Sequence, residues 1–158
     1  MKIQNQNATL ASSLKRINVI FFGLLFGMVS MGSIIYVINP TENFDFNFKN
    51  PLLIIMMVVM IAGVFASGFL YNTLKSKIET KDSLQDKIAK IQQALIIKFA
   101  LIEGPALLGI ILFLVESNLA FLILSVLMIL YFVTLKPSKN KLADDMNLTS
   151  QERREIGE

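Results

Sequence analysis

The chain has 158 residues, of which 54% are hydrophobic and 17% are charged, and its net charge is +3. A soluble domain is less apolar and about a quarter of its residues are charged, so this composition indicates a membrane protein. Because the chain contains no Cys and no His, it lacks disulfides, thiolate metal sites and the commonest general base, and we expect no metal, no cofactor and no enzymatic activity.

The first apolar run, residues 17–38, follows a polar N-terminal segment, residues 1–16, and is the first predicted membrane-spanning helix. It is too long for the hydrophobic region of a signal peptide, so we expect the N-terminal segment to be retained. Gly23 and Gly27 lie four residues apart, and small residues at this spacing let another helix approach closely. The alternative is a chance occurrence, because Gly is frequent in membrane helices.

A polar loop, residues 39–50, leads to the second predicted spanning helix, residues 52–71. In the loop, three Phe residues alternate with polar residues. This alternation fits a short strand, but three aromatic rings beside a bilayer are explained more simply by a place at the membrane interface. The second helix carries small residues, Gly63 among them, and we predict a helix contact there.

Two more spanning helices are predicted in the second half of the chain. The connector, residues 72–91, has apolar residues at helical spacing, so we predict amphipathic helix on both sides of a break near Thr80–Ser83. Two apolar runs then follow, residues 94–115 and 119–135. The predicted fold class is therefore all-α: a polytopic membrane protein with four transmembrane helices in one compact bundle, residues 17–135.

The last segment, residues 136–158, is a polar tail. Thr149 and Glu152 have the spacing of a capping box, which marks the start of a helix. Because the tail is too short to fold by itself, we expect it to lie on the membrane, on the connector or on another protein.

Lysine and arginine residues are distributed unequally along the chain. The N-terminal segment contains three, the connector five and the tail five, whereas the 39–50 loop contains one. Since these residues concentrate in cytoplasmic loops, both termini and the connector are predicted to be cytoplasmic. The pI of about 9.2 does not indicate a nucleic-acid partner, because the basic residues cluster at the ends of apolar runs, where lipid headgroups lie.

This topology makes a direct prediction for reporter fusions. Fusions after Lys49 or at Ser117 should report an external position, and fusions after Asp82 or Ile156 a cytoplasmic one, because of the bias in basic residues. A phosphatase and a fluorescent reporter at each point provide opposite readouts. A cytoplasmic signal from the 39–50 loop would contradict the predicted orientation.

The third predicted helix carries a carboxyl group, Glu103, near its middle. A charged residue at the centre of a spanning helix costs about 3 kcal/mol on insertion scales, and such residues usually have a partner. Lys98 lies five residues earlier, about 140° around the helix, so the two do not form an i, i+4 pair. We expect Lys98 to reach the cytoplasmic interface, with a contact to another helix as the alternative.

Residues around Glu103 complete a candidate ion or proton site. Pro105 leaves the carbonyl of Leu101 without its helical partner, and such polar, interrupted helices commonly form ion sites in membranes. We predict Ser30 and Ser125 as partners of Glu103. Further candidate contacts of the helix backbones are Gly104 and Gly109. The alternative is a neutral Glu103 that hydrogen-bonds a neighbouring helix, with each Ser bonded back to its own helix.

Two resemblances bear on function. The run QALIIKFALIEGPALLGIILFLV, residues 93–115, resembles the carboxylate-bearing helix of the ring proteolipid, the c or K subunit, of rotary ATPases. That local resemblance implies that Glu103 binds an ion. Over residues 88–156, the pattern with EGPALLGI, LKPSKNKLADD and LTSQE resembles small uncharacterised four-helix inner-membrane proteins of bacteria. It implies a bacterial inner-membrane location and brings no known activity.

The sequence therefore leaves two functions open. The first is a noncatalytic subunit or accessory protein of a membrane complex. The alternative is a membrane protein or transporter that handles protons or cations through Glu103. The expected partners are the lipid bilayer and either other membrane subunits or further copies of the same chain.

Overall fold

The computed structural model describes residues 2–146, Leu148 and Arg153, with side chains from Ser12 onward. These residues form five helices: α1 (Lys2–Ile38), α2 (Pro51–Lys75), α3 (Leu84–Glu116), α4 (Leu119–Thr134) and α5 (Lys139–Asp145). The part of the chain that is described contains no strand. The predicted all-helical class is confirmed, and the alternating Phe residues of the first loop do not form a strand.

Three helices are long and apolar enough to cross a membrane: α1 from Ser12 to Ile38, α2 and α3. The short α4 passes the same test only together with α5, to which it is bent by 78°, so the described chain has three or four spanning helices. These apolar helices are compatible with a membrane protein.

Three helices extend beyond the apolar runs that predicted them. α1 begins at Lys2 rather than at residue 17, α2 ends at Lys75 rather than at residue 71, and α3 begins at Leu84 rather than at residue 94. An apolar run shows only which part of a helix can lie in hydrocarbon. The helix itself can continue into water, because its backbone hydrogen bonds do not require apolar side chains. The start of α3 is set by Ser83, whose side chain accepts a hydrogen bond from the Asp86 amide. The predicted break near Thr80–Ser83 thus lies between α2 and α3.

α1 and α3 run parallel with a constant register. The Phe21 ring lies 5.5 Å from the Phe99 ring, and a Cβ on Gly32 would lie 3.5 Å from the Ile110 side chain. Both pairs are 78 residues apart, so the same offset holds over three turns. Phe132 of α4 stacks on Phe21 at 4.8 Å, and the three rings form one buried layer.

One end of the bundle, the loop end, is closed by the first loop and the α3–α4 turn. The Leu119 amide donates to the Asn43 carbonyl at 2.9 Å. The Asn118 side chain donates to the Asp45 carbonyl at 2.8 Å and accepts from the Asp45 amide at 3.1 Å. Ser117 makes the turn with a positive φ of 47°. These bonds fix the loop between α1 and α2 to the turn between α3 and α4, and so connect the two helix pairs at this end of the bundle.

The opposite end, the basic end, contains the connector and α5. Apolar residues of the connector, of the start of α3 and of the tail share one buried cluster: Ile78, Leu84, Ile88, Ile91, Leu142, Ala143, Met146 and Leu148. The tail was predicted to lie on the membrane, on the connector or on another protein. Its described part packs against the connector. The capping pattern at Thr149 and Glu152 lies outside the described residues.

An ion pair stabilises the turn of the connector that precedes α3. Lys90 Nζ donates to Asp82 Oδ2 at 2.6 Å, and the Glu79 amide donates to the same oxygen at 2.8 Å. The hydrogen bond from Lys90 lowers the pKa of Asp82. The carboxylate therefore stays ionised at neutral pH and holds the chain in the turn that precedes α3.

Candidate functional site

Glu103 lies at the edge of the packed face of α3. Its side chain is partly exposed, and it is about 160° around the helix from Pro105, which faces α2. Phe99 and Ile110, on the same side of α3 as Glu103, contact α1. Within the described part of the chain, Glu103 has no hydrogen bond and no ion pair. The carboxyl group thus lacks an internal partner.

Two ammonium groups lie beside the ring layer. Lys98 adjoins Phe99 of the ring layer, and Lys136 Nζ lies 5.4 Å from the centre of the Phe22 ring, beside the same layer. From Lys98 to Glu116 the helix rises about 27 Å at ~1.5 Å per residue, close to the ~30 Å of a hydrocarbon core.

These two levels give the position of Glu103 along α3. Glu103 lies about 7.5 Å from the level of Lys98 and about 20 Å from that of Glu116. It is therefore closer to the basic end than to the loop end when measured between these two residues, and its place at the middle of the membrane stays a prediction.

The two predicted serine partners do not meet Glu103. With the offset of 78 residues, Glu103 is level with Leu25 of α1, whereas Ser30 is level with Leu108, about 7.5 Å further along. Ser125 is buried and donates to the Phe121 carbonyl of its own helix at 3.0 Å. The alternative reading for Ser125, a bond back to its own helix, is the one observed.

Pro105 belongs to a tight contact between α2 and α3. A Cβ on Gly63 would lie 2.7 Å from the Leu101 carbonyl oxygen and 2.8 Å from Pro105 Cγ. This is the carbonyl that loses its helical donor to Pro105, and it faces the backbone of α2. Pro105 and Gly63 together therefore let the two helix backbones approach, and α3 remains one continuous helix through this point.

The other candidate glycines fall into two groups. A Cβ on Gly109 would collide with the Ser125 hydroxyl and the Met56 side chain, so Gly109 lies in a packed contact. Gly23, Gly27 and Gly104 have no atom within 4 Å of the position of a Cβ. Among the described residues, the close packing expected at Gly23 and Gly27 is not made, because α1 packs through a different side, about 115° around the helix, which carries Ile17, Phe21, Met28 and Ile35.

A second polar cluster, which sequence reasoning missed, joins α2, α3 and α5. The Tyr71 hydroxyl donates to Asp145 Oδ2 at 2.5 Å, and Lys75 Nζ donates to Asp145 Oδ1 at 2.5 Å. Lys98 Nζ lies 4.4 Å from the centre of the Tyr71 ring. Lys98 thus makes the contact to another helix that was the alternative prediction, and its place at the cytoplasmic interface stays a prediction. The available signal was the i, i+4 spacing of Tyr71 and Lys75.

The described residues contain no cluster of three or more carboxylates that could hold a metal ion. No protein-family model, no curated protein and no solved structure matches the chain.

Proposed function

We propose that the protein is a noncatalytic subunit or accessory protein of a membrane complex in the bacterial inner membrane, with both termini in the cytoplasm. The observation that carries this proposal is the partly exposed Glu103, which has no partner within the described chain. A polar group left unsatisfied in hydrocarbon costs several kcal/mol, and intramembrane carboxyl groups usually have a partner. A donor from another polypeptide supplies that partner.

Two further features support a role in a complex. The side of α1 that carries Gly23 and Gly27 is open, so a helix of another subunit, or of a second copy, has room to approach it. The loop end is short and fixed by hydrogen bonds to the α3–α4 turn. Most of the chain outside the apolar region therefore lies at the basic end, where it is available for assembly.

A second candidate function is the handling of protons or cations by Glu103. The depth of this residue supports it, because its carboxyl group lies only about 7.5 Å from the level of Lys98. A proton or cation from the basic end has a short path to the group. This candidate differs from the first in one property: Glu103 must exchange its proton, whereas a subunit contact needs only its hydrogen bond.

The experiment that tests the subunit proposal uses a photo-crosslinking amino acid at Ala100, one turn from Glu103 on an exposed part of α3. In cells, we expect a crosslinked product whose yield falls several-fold when Glu103→Leu is added. The matched control is the same amino acid at Phe65, which is 75% exposed on α2. The mass of the product distinguishes a second copy from another subunit. A yield at Ala100 that is equal to that at Phe65 and independent of Glu103 would contradict the proposal.

A further inference from the structure

The polar cluster at the basic end carries more positive charge than its carboxylate neutralises. Both oxygens of Asp145 are already engaged, one by Tyr71 and one by Lys75. Lys98 contacts the face of Tyr71, and Lys141 stands one turn before Asp145 on α5. Neither Lys98 nor Lys141 forms an ion pair with any residue that the structure describes.

The surroundings of Lys98 make an anionic ligand favourable. Lys98 is partly buried on an apolar helix, and an ammonium group in such a place is stabilised by a counter-ion. It keeps some exposure, and Lys141 is exposed, so an external group can reach both. Asp145 joins α5 to α2 through Tyr71 and Lys75. Lys141 lies one turn from Asp145 on α5, which places it at the same junction of helices as Lys98.

The level of the cluster identifies the kind of anion. Lys98 stands beside the ring layer, where the apolar bundle ends, which is the level of lipid phosphates. On α2, the side chains that precede Tyr71 are exposed and apolar, with Phe69 at 70% and Leu70 at 38% exposure, and acyl chains cover such surfaces. We propose that Lys98 and Lys141, at the junction of α2, α3 and α5, bind the phosphate of an anionic phospholipid in the leaflet at the basic end.

The test uses the full-length protein in detergent, freed of lipid, with phosphatidylglycerol titrated in and binding followed by native mass spectrometry. Phosphatidylcholine with the same acyl chains and inorganic phosphate are the comparison ligands. We expect phosphatidylglycerol to bind most tightly. Lys98→Met and Lys141→Gln should each weaken it about fivefold, since a Lys near an anionic surface contributes ~1 kcal/mol. Lys98→Arg, which keeps the charge, should bind as the wild type does.

The matched control is Lys81→Gln, which removes one positive charge from the connector. Lys81 is exposed and pairs with Glu79 at 2.8 Å, and its loss should leave lipid affinity unchanged. If Lys98→Met does not fold, the exposed Lys141 decides the result. Three results would each contradict the proposed lipid site. They are wild-type lipid affinity in Lys141→Gln, an equal loss of affinity in Lys81→Gln, and binding of inorganic phosphate as strong as that of phosphatidylglycerol.

Discussion

Gly63→Ala should destabilise the bundle, although the change adds a single methyl group. The new Cβ would lie 2.7 Å from the Leu101 carbonyl oxygen and 2.8 Å from Pro105 Cγ. Neither group belongs to a flexible side chain that can move aside, so α2 must shift away from α3. Overpacking of this kind costs about 1–3 kcal/mol. For a chain of this size, each kcal/mol lowers the Tm by roughly 2–4 °C.

The measurement is thermal unfolding in one detergent, followed by circular dichroism, with Gly68→Ala as the matched control. Gly68 lies on the same helix, and nothing lies within 4 Å of the position of its Cβ. Alanine is favoured over glycine inside helices by up to ~1 kcal/mol, so this variant should be at least as stable as the wild type. Equal stability of the two alanine variants would mean that α2 and α3 do not approach each other as described.

Glu103 variants should separate assembly from ion handling. Glu103→Gln keeps shape and hydrogen bonding but cannot release a proton, so a subunit contact should survive this change. Glu103→Leu also removes the hydrogen bond and should weaken assembly by about 1 kcal/mol per bond lost, a several-fold change in the associated fraction. If the protein handles ions, the Gln variant should also assemble normally, but it should be inactive because it cannot release a proton.

Labelling with a hydrophobic carbodiimide provides the chemical readout for Glu103. These reagents attack neutral carboxyl groups, and a carboxyl group in hydrocarbon is held neutral because an ionised one would lack solvation. Glu103 should therefore label faster than Glu116, which lies at the loop end and serves as the internal control. Protection of Glu103 by rising Na⁺ or pH would support ion handling. No labelling at Glu103, together with a fully functional Gln variant, would exclude it.

The candidate site shows where prediction from sequence stops. The sequence shows that Glu103 and Lys98 stand in an apolar stretch, because charge and hydropathy are properties of single residues. The partners of these residues depend on helix register, which is a property of pairs. Ser30 and Ser125 were predicted from depth alone, but the offset of α1 against α3 and the bond of Ser125 to Phe121 keep them from Glu103.

The sequence alone determined the all-helical class, the apolar helices and the break before α3, since these follow from hydropathy and helical spacing. Only the tertiary structure decided the place of the tail. Asp145 is an ordinary acidic residue in the sequence, and its role appears when α5 brings it 2.5 Å from Tyr71 and from Lys75. Such contacts join residues 70 or more positions apart, and they depend on the packing of all the helices together, which no local pattern records.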